Sequence, residues 1–92
     1  MIIVTVKTTP KSEYKQEYIK QFNEIATVVR QETGCLEYEL YQKDEENPEV
    51  FIFERWDSKE HLDAHLKSEH MIQFFSYTSS WFEKKVMDVY EL

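Results

Sequence analysis

The most constraining feature of this sequence is that stretches of strand-like and helix-like periodicity alternate along its 92 residues. Four stretches are rich in β-branched residues or alternate apolar with polar side chains, as strands do: residues 2–9, 35–43, 49–56 and 85–92. After the first and the third of these, apolar residues recur three and four apart, which is the period of a helix. The order β-α-β-β-α-β predicts an α+β, ferredoxin-like fold, in which an antiparallel sheet carries its helices on one face.

Breakers and capping residues mark the predicted element ends. Pro10 ends the first strand, and Ser12 is predicted to cap the helix that follows. Gly34 stands where a helix C-terminus favours a left-handed residue, and Ser58 is predicted to cap the second helical region. The helical stretches are predicted over residues 12–33, 58–67 and 71–81, with a break at Ser68-Glu69 between the last two.

The alternation within the hairpin strands predicts which side chains share a face of the sheet. Those predicted to pack beneath the helices are Leu36, Tyr38 and Leu40. Those predicted to look outward are Cys35, Glu37, Glu39, Tyr41, Ile52, Glu54 and Trp56. An open face with large apolar and aromatic side chains indicates a binding surface or a dimer interface. A slip of one residue in register would exchange the two faces.

Composition excludes several classes of function. The formal net charge of −7 argues against nucleic acid and anionic membranes as partners, because both bind basic surfaces. The single Gly34 cannot build a glycine-rich nucleotide loop, and the single Cys35 cannot form an internal disulfide. No signal-peptide pattern or long apolar run is present, so residues 1–92 are expected to form one cytoplasmic domain. Such a short chain buries little surface by itself, and its 41% hydrophobic content indicates an oligomer.

Two stretches, ETGCLEYELYQ and PEVFIFERWDSKEHLDAHLKSEH, resemble the antibiotic biosynthesis monooxygenase (ABM) family. The matching positions are Gly34, Cys35, Leu36, Tyr38, Phe51, Glu54, Trp56, Ser58, Glu60, His65, Ser68 and His70. The resemblance implies a dimeric α+β barrel: a homodimer that packs two open sheet faces together, with a pocket between sheet and helices in each subunit. Members of the family include monooxygenases that oxidise quinols and anthrone-like compounds without flavin or metal, and others degrade haem.

All three histidines fall within HLDAHLKSEH, residues 61–70. His61 and His65 could share one helix face, but too few further ligands are available to complete a zinc shell, so no metal site is predicted. His61 is predicted to face solvent, and His70 to begin the next helix and fix the bend before it. Spacing alone leaves His65 open between a buried core histidine and a base at the pocket. The family resemblance favours the base.

Glu54 is the second candidate catalytic residue. A carboxylate in the apolar strand FIFERW is costly unless it is paired, so it forms either a strand-edge salt bridge or a pocket acid that orients His65 or the substrate. Aromatic walls suit a planar substrate, although such side chains more often form a core. The candidate substrate-binding residues are Trp56, His70, Phe74 and Tyr77.

The resemblance therefore implies a cofactor-independent monooxygenase that oxidises a small phenolic, quinol-like substrate with dioxygen, with His65 as the base. Haem degradation is disfavoured, because that branch would carry Asn, Trp and a haem-ligating His where this chain has Lys7, His65 and Phe75. Isomerisation or other small-molecule chemistry in the same pocket stays open. So does a non-enzymatic dimer that binds a small ligand or a protein partner.

Overall fold

The computed structural model describes residues 1–92 as one antiparallel sheet with helices packed on one of its faces. The strands are β1 (Ile2–Pro10), β2 (Cys35–Tyr41), β3 (Val50–Trp56) and β4 (Phe82–Glu91), and the helices are α1 (Lys15–Val29), α2 (Lys59–Lys67) and α3 (Glu69–Thr78). The strand order is β2-β3-β1-β4, and every neighbouring pair is antiparallel. The predicted α+β, ferredoxin-like fold is confirmed. None of the three helices has the length and apolar character needed to cross a membrane.

The first helix is shorter than predicted at both ends. It begins at Lys15 rather than just after Ser12, and its N-cap residue Tyr14 makes no capping hydrogen bond through its side chain. It ends at Val29, and residues 30–34 form a turn that leads into β2. The apolar periodicity also ends at Val29, and the turn contains only polar residues and Gly34, so the predicted extension to residue 33 had no apolar face to support it. Gly34 has the expected left-handed backbone, with φ +84°.

The second helical region is divided at Ser68, as predicted. Ser58 caps α2 by accepting a hydrogen bond from the backbone N–H of His61, which confirms the predicted cap. Ser68 has an extended ψ of 148°, which ends α2, and its side chain caps α3 by accepting from the backbone N–H of Met71. The helix after the break therefore begins two residues earlier than predicted, and it ends at Thr78 rather than near residue 81.

The predicted outward orientation of Ile52, Glu54 and Trp56 was wrong. In the β2–β3 ladder Tyr38 lies opposite Glu54, and Leu40 lies opposite Ile52. Directly opposed residues in an antiparallel pair point to the same face. The alternate residues of β3 that include Glu54 therefore lie beneath the helices, where they are buried. β3 has apolar residues on both faces of the sheet, so the sequence alone did not indicate which face the helices cover.

A bulge at Leu36 exchanges the predicted places of the first two residues of β2. Cys35 lies opposite Trp56, whereas Glu37 lies opposite Arg55, so Leu36 is the extra residue on its strand. Cys35 consequently packs against the core, and Leu36 is 50% exposed. Beyond the bulge the alternation is as predicted for Tyr38, which is buried.

The face of the sheet away from the helices carries aromatic and aliphatic side chains. Its apolar members follow from the register of the four strands: Ile3, Tyr41, Phe51, Phe53, Val86 and Tyr90. Its polar members are Thr5, Lys7, Glu39 and Asp88, together with an ion pair between Arg55 and Glu37 at 2.8 Å. Tyr41 and Tyr90 are each 50% exposed. This face is called the open face below.

Candidate active site

A cavity of about 360 Å³ lies between the helices and the covered face of the sheet. Its apolar and aromatic lining consists of Val6, Tyr18, Phe22, Tyr38, Ile52, Leu66, Met71, Phe74, Phe75 and Met87. Only three further side chains line it, Glu54, His65 and Lys85, and all three carry ionisable groups. A mostly apolar cavity of this size with a few convergent polar groups is the usual form of a small-molecule site.

His65 reaches the cavity from the last turn of α2. The residue is 1% exposed, and its imidazole lies 4.5 Å from the Trp56 ring, centroid to centroid. Its Nδ1 lies 2.9 Å from Oε2 of Glu32, whereas its Nε2 has no hydrogen-bond partner. No fully buried side-chain nitrogen or oxygen lacks a partner, so Nε2 keeps contact with the cavity space. Burial lowers the pKa of His65, while the hydrogen bond that its Nδ1 makes to Glu32 acts in the opposite direction.

Glu32 is a site residue that the sequence analysis missed. It lies in the turn after α1, and the same Oε2 that contacts His65 also lies 3.1 Å from Nε2 of His70. Ser68 Oγ completes the group at 3.2 Å from that nitrogen of His70. Glu32 is 33 residues from His65 and lies outside any periodic element, so no local pattern pairs them. The sole sequence signal was its position at the start of ETGCLEYELYQ, the first stretch that resembles the ABM family.

Glu54 enters the cavity from the middle of β3. Its Oε1 accepts a hydrogen bond from Nε1 of Trp56 at 3.0 Å, and the residue is 5% exposed. Burial raises the pKa of Glu54 to about 7, and the bond from Trp56 opposes that rise. No Lys or Arg nitrogen lies within ion-pair distance, so the predicted alternative of a strand-edge salt bridge is not present. Near neutral pH this carboxyl group can therefore both donate and accept a proton.

Two phenols and one ammonium complete the polar groups around the cavity. Burial, together with the nearby charge of Glu54, raises the pKa values of the Tyr18 and Tyr38 hydroxyls, so both remain protonated. Neither hydroxyl has a hydrogen-bond partner within the chain, and both side chains line the cavity. The Lys85 ammonium lies 4.9 Å from the centre of the Phe75 ring, and burial lowers its pKa.

The predicted substrate-binding residues are distributed over three places. Phe74 lines the cavity. Trp56 is fully buried and contacts both His65 and Glu54, but it does not itself line the cavity. His70 and Tyr77 border a separate shallow depression between α1 and α3. Tyr77 is 58% exposed there. Their contribution to substrate binding stays a prediction.

His61 and His65 point in different directions although they are four residues apart. The His61 imidazole is hydrogen-bonded to Asp57 and to Ser58 Oγ at the start of α2, and it is partly exposed. His65 points inward to Glu32 and the cavity. No three His, Cys, Asp or Glu side chains converge as a set of metal ligands.

The sequence of this chain matches a known protein family. The family model described as "Antibiotic biosynthesis monooxygenase" (ABM) matches residues 1–77. The probable quinol monooxygenase YgiN of Escherichia coli K12 is 28% identical to this chain, in an alignment that covers 76% of this chain and 75% of YgiN.

Solved structures share the fold over nearly the whole chain. A conserved protein from Methanosarcina mazei Go1 superposes with a TM-score of 0.89 at 29% identity, covering 98% of this chain and 90% of that one. Rv0793 from Mycobacterium tuberculosis superposes with a TM-score of 0.90, covering 99% and 93% of the two chains. Because the two sequences are only 23% identical, this superposition shows a shared fold and nothing further.

Proposed function

Because this chain belongs to the antibiotic biosynthesis monooxygenase family, we propose that it is a cofactor-independent monooxygenase that oxidises a small phenolic, quinol-like substrate with dioxygen. One observation carries the proposal. An imidazole nitrogen of His65 without a partner and the carboxyl group of Glu54 enter the same apolar cavity. The name of YgiN, a probable quinol monooxygenase, supports the choice of substrate class.

The proposed reaction begins with proton transfer. Nε2 of neutral His65 removes the phenolic proton, and the pKa of His65, lowered by burial, keeps the ring neutral at physiological pH. The electron-rich phenolate passes one electron to dioxygen, and the two radicals combine to form a peroxide on a ring carbon. Loss of the proton on that carbon and cleavage of the O–O bond then form a carbonyl. One oxygen atom stays in the quinone, the other leaves as water, and the substrate supplies all four electrons.

Glu54 is proposed as the acid of the second half of the reaction. With a pKa of about 7, its carboxyl group carries a proton in a large fraction of molecules at neutral pH. That proton can pass to the departing peroxide oxygen, which otherwise leaves as hydroxide. The hydroxyls of Tyr18 and Tyr38 remain donors throughout and are proposed to hold the oxygen substituents of the ring. The apolar walls exclude water from the radical intermediates.

Oxygen uptake tests this proposal directly. The purified protein is incubated with a panel of hydroquinones and naphthoquinols, and with their O-methyl ethers as matched controls that have no phenolic proton. We expect enzyme-dependent oxygen uptake with the phenols only, and one atom of ¹⁸O from ¹⁸O₂ in each quinone product. A panel that binds without any oxygen uptake would instead support a ligand-binding dimer.

We further propose that a second copy of the chain covers the open face. Tyr41, Val86 and Tyr90 are at least 38% exposed there, and Phe51 and Phe53 lie between them. A sheet face with this many exposed apolar and aromatic side chains is unusual on a monomer and typical of an interface. The same face carries the Arg55–Glu37 ion pair, which gives the interface a polar element. The copy would leave the cavity accessible, since the cavity lies on the opposite side of the sheet.

A further inference from the structure

One carboxylate oxygen contacts two histidines. Oε2 of Glu32 lies 2.9 Å from Nδ1 of His65 and 3.1 Å from Nε2 of His70. The three residues come from different elements, namely the turn after α1, the end of α2 and the start of α3. The side chain of Glu32 is only 17% exposed, so this contact lies largely out of solvent.

The hydrogen-bond network determines where the ring protons lie. A carboxylate oxygen only accepts, so Nδ1 of His65 carries the proton and donates it to Glu32. The neutral ring then has its lone pair on Nε2, the atom in contact with the cavity. The hydroxyl of Ser68 donates its one hydrogen to the backbone carbonyl of His65 at 2.7 Å. Its oxygen therefore accepts from Nε2–H of His70, so that nitrogen also donates.

We propose that Glu32 is a positioning residue that fixes His65 in the tautomer with Nε2 free to act as a base, and that His70 opposes this action by competing for the same carboxylate oxygen. The catalytic consequence rests on the proposed function, whereas the tautomer itself does not. The neutral imidazole has two tautomers, and the hydrogen bond made by one nitrogen selects the other as the acceptor. Without an acceptor at Glu32, the proton is free to move to Nε2 and block the base.

His70 can modulate this pair because it shares the same oxygen and is more accessible. The side chain of His70 is 34% exposed, against 1% for His65, so solvent reaches it more readily. The charge of His70 lowers the pKa of His65, whereas Glu32 raises it. Beside Glu32 and His70, the ionisable side chains that line the cavity with His65 are Tyr18 from α1, Tyr38 from β2, Glu54 from β3 and Lys85 from β4.

A purely mechanical role for Glu32 makes a different prediction. Glu32 joins the turn after α1 to the bend between α2 and α3, so removing it would lower the free energy of unfolding whatever its effect on His65. A brace of this kind does not require any particular tautomer or pKa of the ring. The tautomer and the titration of His65 therefore distinguish positioning from bracing.

Nitrogen NMR of the full chain provides the readout. Long-range ¹H–¹⁵N spectra report the protonation of each imidazole nitrogen, and a His65→Gln variant assigns the signals of that ring. In the unsubstituted protein we expect His65 to carry its proton on Nδ1. In Glu32→Gln, which retains the shape of the side chain without its charge, we expect the pKa of His65 to fall. In Glu32→Ala we expect the Nδ1–H preference to be lost as well.

His70→Gln is the matched variant with the opposite sign. It removes the charge of His70, which lowers the pKa of His65, so we expect the pKa of His65 to rise rather than fall. The titrations are repeated in a Glu54→Gln background. Burial raises the pKa of Glu54 to about 7, so its titration would also shift the His65 resonances in the pH range of interest. Circular dichroism melts establish that each variant is folded before its spectra are interpreted.

Activity gives a second readout if the oxygen-uptake assay succeeds. We expect Glu32→Gln to lower kcat by about 10- to 100-fold with KM little changed, less than the loss of the base itself. The rising limb of its pH profile should move to lower pH. An Nε2–H tautomer in the unsubstituted protein, or an unchanged tautomer and pKa in folded Glu32 variants, would overturn the positioning role. Absence of oxygen uptake alongside the expected spectra would overturn only the proposed function.

Discussion

The indole nitrogen of Trp56 donates a hydrogen bond to Oε1 of Glu54 at 3.0 Å, although the two residues are neighbours on one face of the same strand. The Trp56 ring also lies 4.5 Å from the imidazole of His65. One buried aromatic side chain therefore holds the carboxyl group and packs against the histidine. Because Trp56 is fully buried, it has little freedom to move. Its contacts therefore hold the carboxyl group of Glu54 and the imidazole of His65 in fixed positions relative to each other.

Replacing Glu54 with Gln should change how stability depends on pH. Burial raises the pKa of Glu54 from 4.5 to about 7, so the folded protein holds this proton more tightly than the unfolded chain. Stability is then lost as pH rises from 4.5 to about 7, because the unfolded chain releases the proton first. Glu54→Gln removes this loss. Its free energy of unfolding, relative to that of the natural protein, should therefore increase by up to about 3 kcal/mol as pH rises across that interval.

Urea unfolding at several pH values across the interval measures the difference. Glu60→Gln is the matched control, since it removes one carboxylate from the exposed side of α2. The free energy of unfolding of Glu60→Gln should depend on pH in the same way as that of the unsubstituted protein. The same pH dependence in Glu54→Gln as well would mean that Glu54 titrates as an ordinary glutamate, and its role as an acid near neutral pH would be withdrawn.

Replacing His65 should abolish most of the proposed oxidation, whereas replacing His61 should not. A positioned general base contributes about 10²–10⁴-fold to rate, so His65→Ala should lower quinol oxidation by that factor. His61 is bound to Asp57 at the surface and does not line the cavity, so His61→Ala should retain nearly full activity. Oxygen uptake with a hydroquinone measures both.

The pH profile and an ionised substrate sharpen this test. The rate should rise with pH through an apparent pKa below the ordinary histidine value of 6.5, because burial disfavours the charged ring. That rise should be absent in His65→Ala. Substrates whose phenol is already ionised at the assay pH should restore part of the rate, since they need no base. Equal rates for both proteins on every quinol would remove His65 from the mechanism.

The features that the sequence predicted correctly are those with local signals. The break at Ser68 and the cap at Ser58 follow from side chains that bond to their own neighbouring backbone. The order of strands and helices follows from periodicity within each segment. These signals were sufficient for the fold, and the family resemblance added the pocket between sheet and helices.

The features that the sequence did not reveal depend on contacts between distant segments. The bulge at Leu36 is defined only by its pairing with β3, and the apolar pattern on both faces of β3 gave no sign of which face is covered. The pairing of Glu32 with His65 joins residues 33 apart through a turn. A single sequence contains no record of such pairs. His65 and Glu54 were therefore predicted as candidate site residues, whereas Glu32, which is hydrogen-bonded to His65, was not.

Gly34→Ala should destabilise the protein for two separable reasons. Gly34 has φ +84°, which strains any residue with a Cβ, and a Cβ there would collide with the His61 imidazole and the Asp57 carboxylate. We expect a loss of about 1–3 kcal/mol in the free energy of unfolding. Adding His61→Ala should recover the part due to collision with the imidazole and leave the parts due to the Asp57 carboxylate and to backbone strain. Denaturant unfolding of both single variants and the double variant tests this, and strictly additive effects would show that no collision with the imidazole exists.

The proposed dimer through the open face gives the last prediction. Phe53 lies at the centre of that face, between Thr5 of β1 and Glu39 of β2. Phe53→Lys would bury an ammonium group in the interface, beside a Glu39 carboxylate that already pairs with Arg30 at 3.1 Å. Burying such a charge costs several kcal/mol, which is enough to shift a micromolar dimer to monomer.

Ile72→Lys is the matched control for that variant. It introduces the same charge at an apolar position that is 55% exposed on α3, away from the sheet. Analytical ultracentrifugation at micromolar concentration should find dimers for the unsubstituted protein and for Ile72→Lys, and monomers or unfolded chain for Phe53→Lys. A stable folded monomer of the unsubstituted protein would end the proposal. A dimer that persists in Phe53→Lys would place the interface on another surface, because burying an added charge at the centre of the open face costs several kcal/mol.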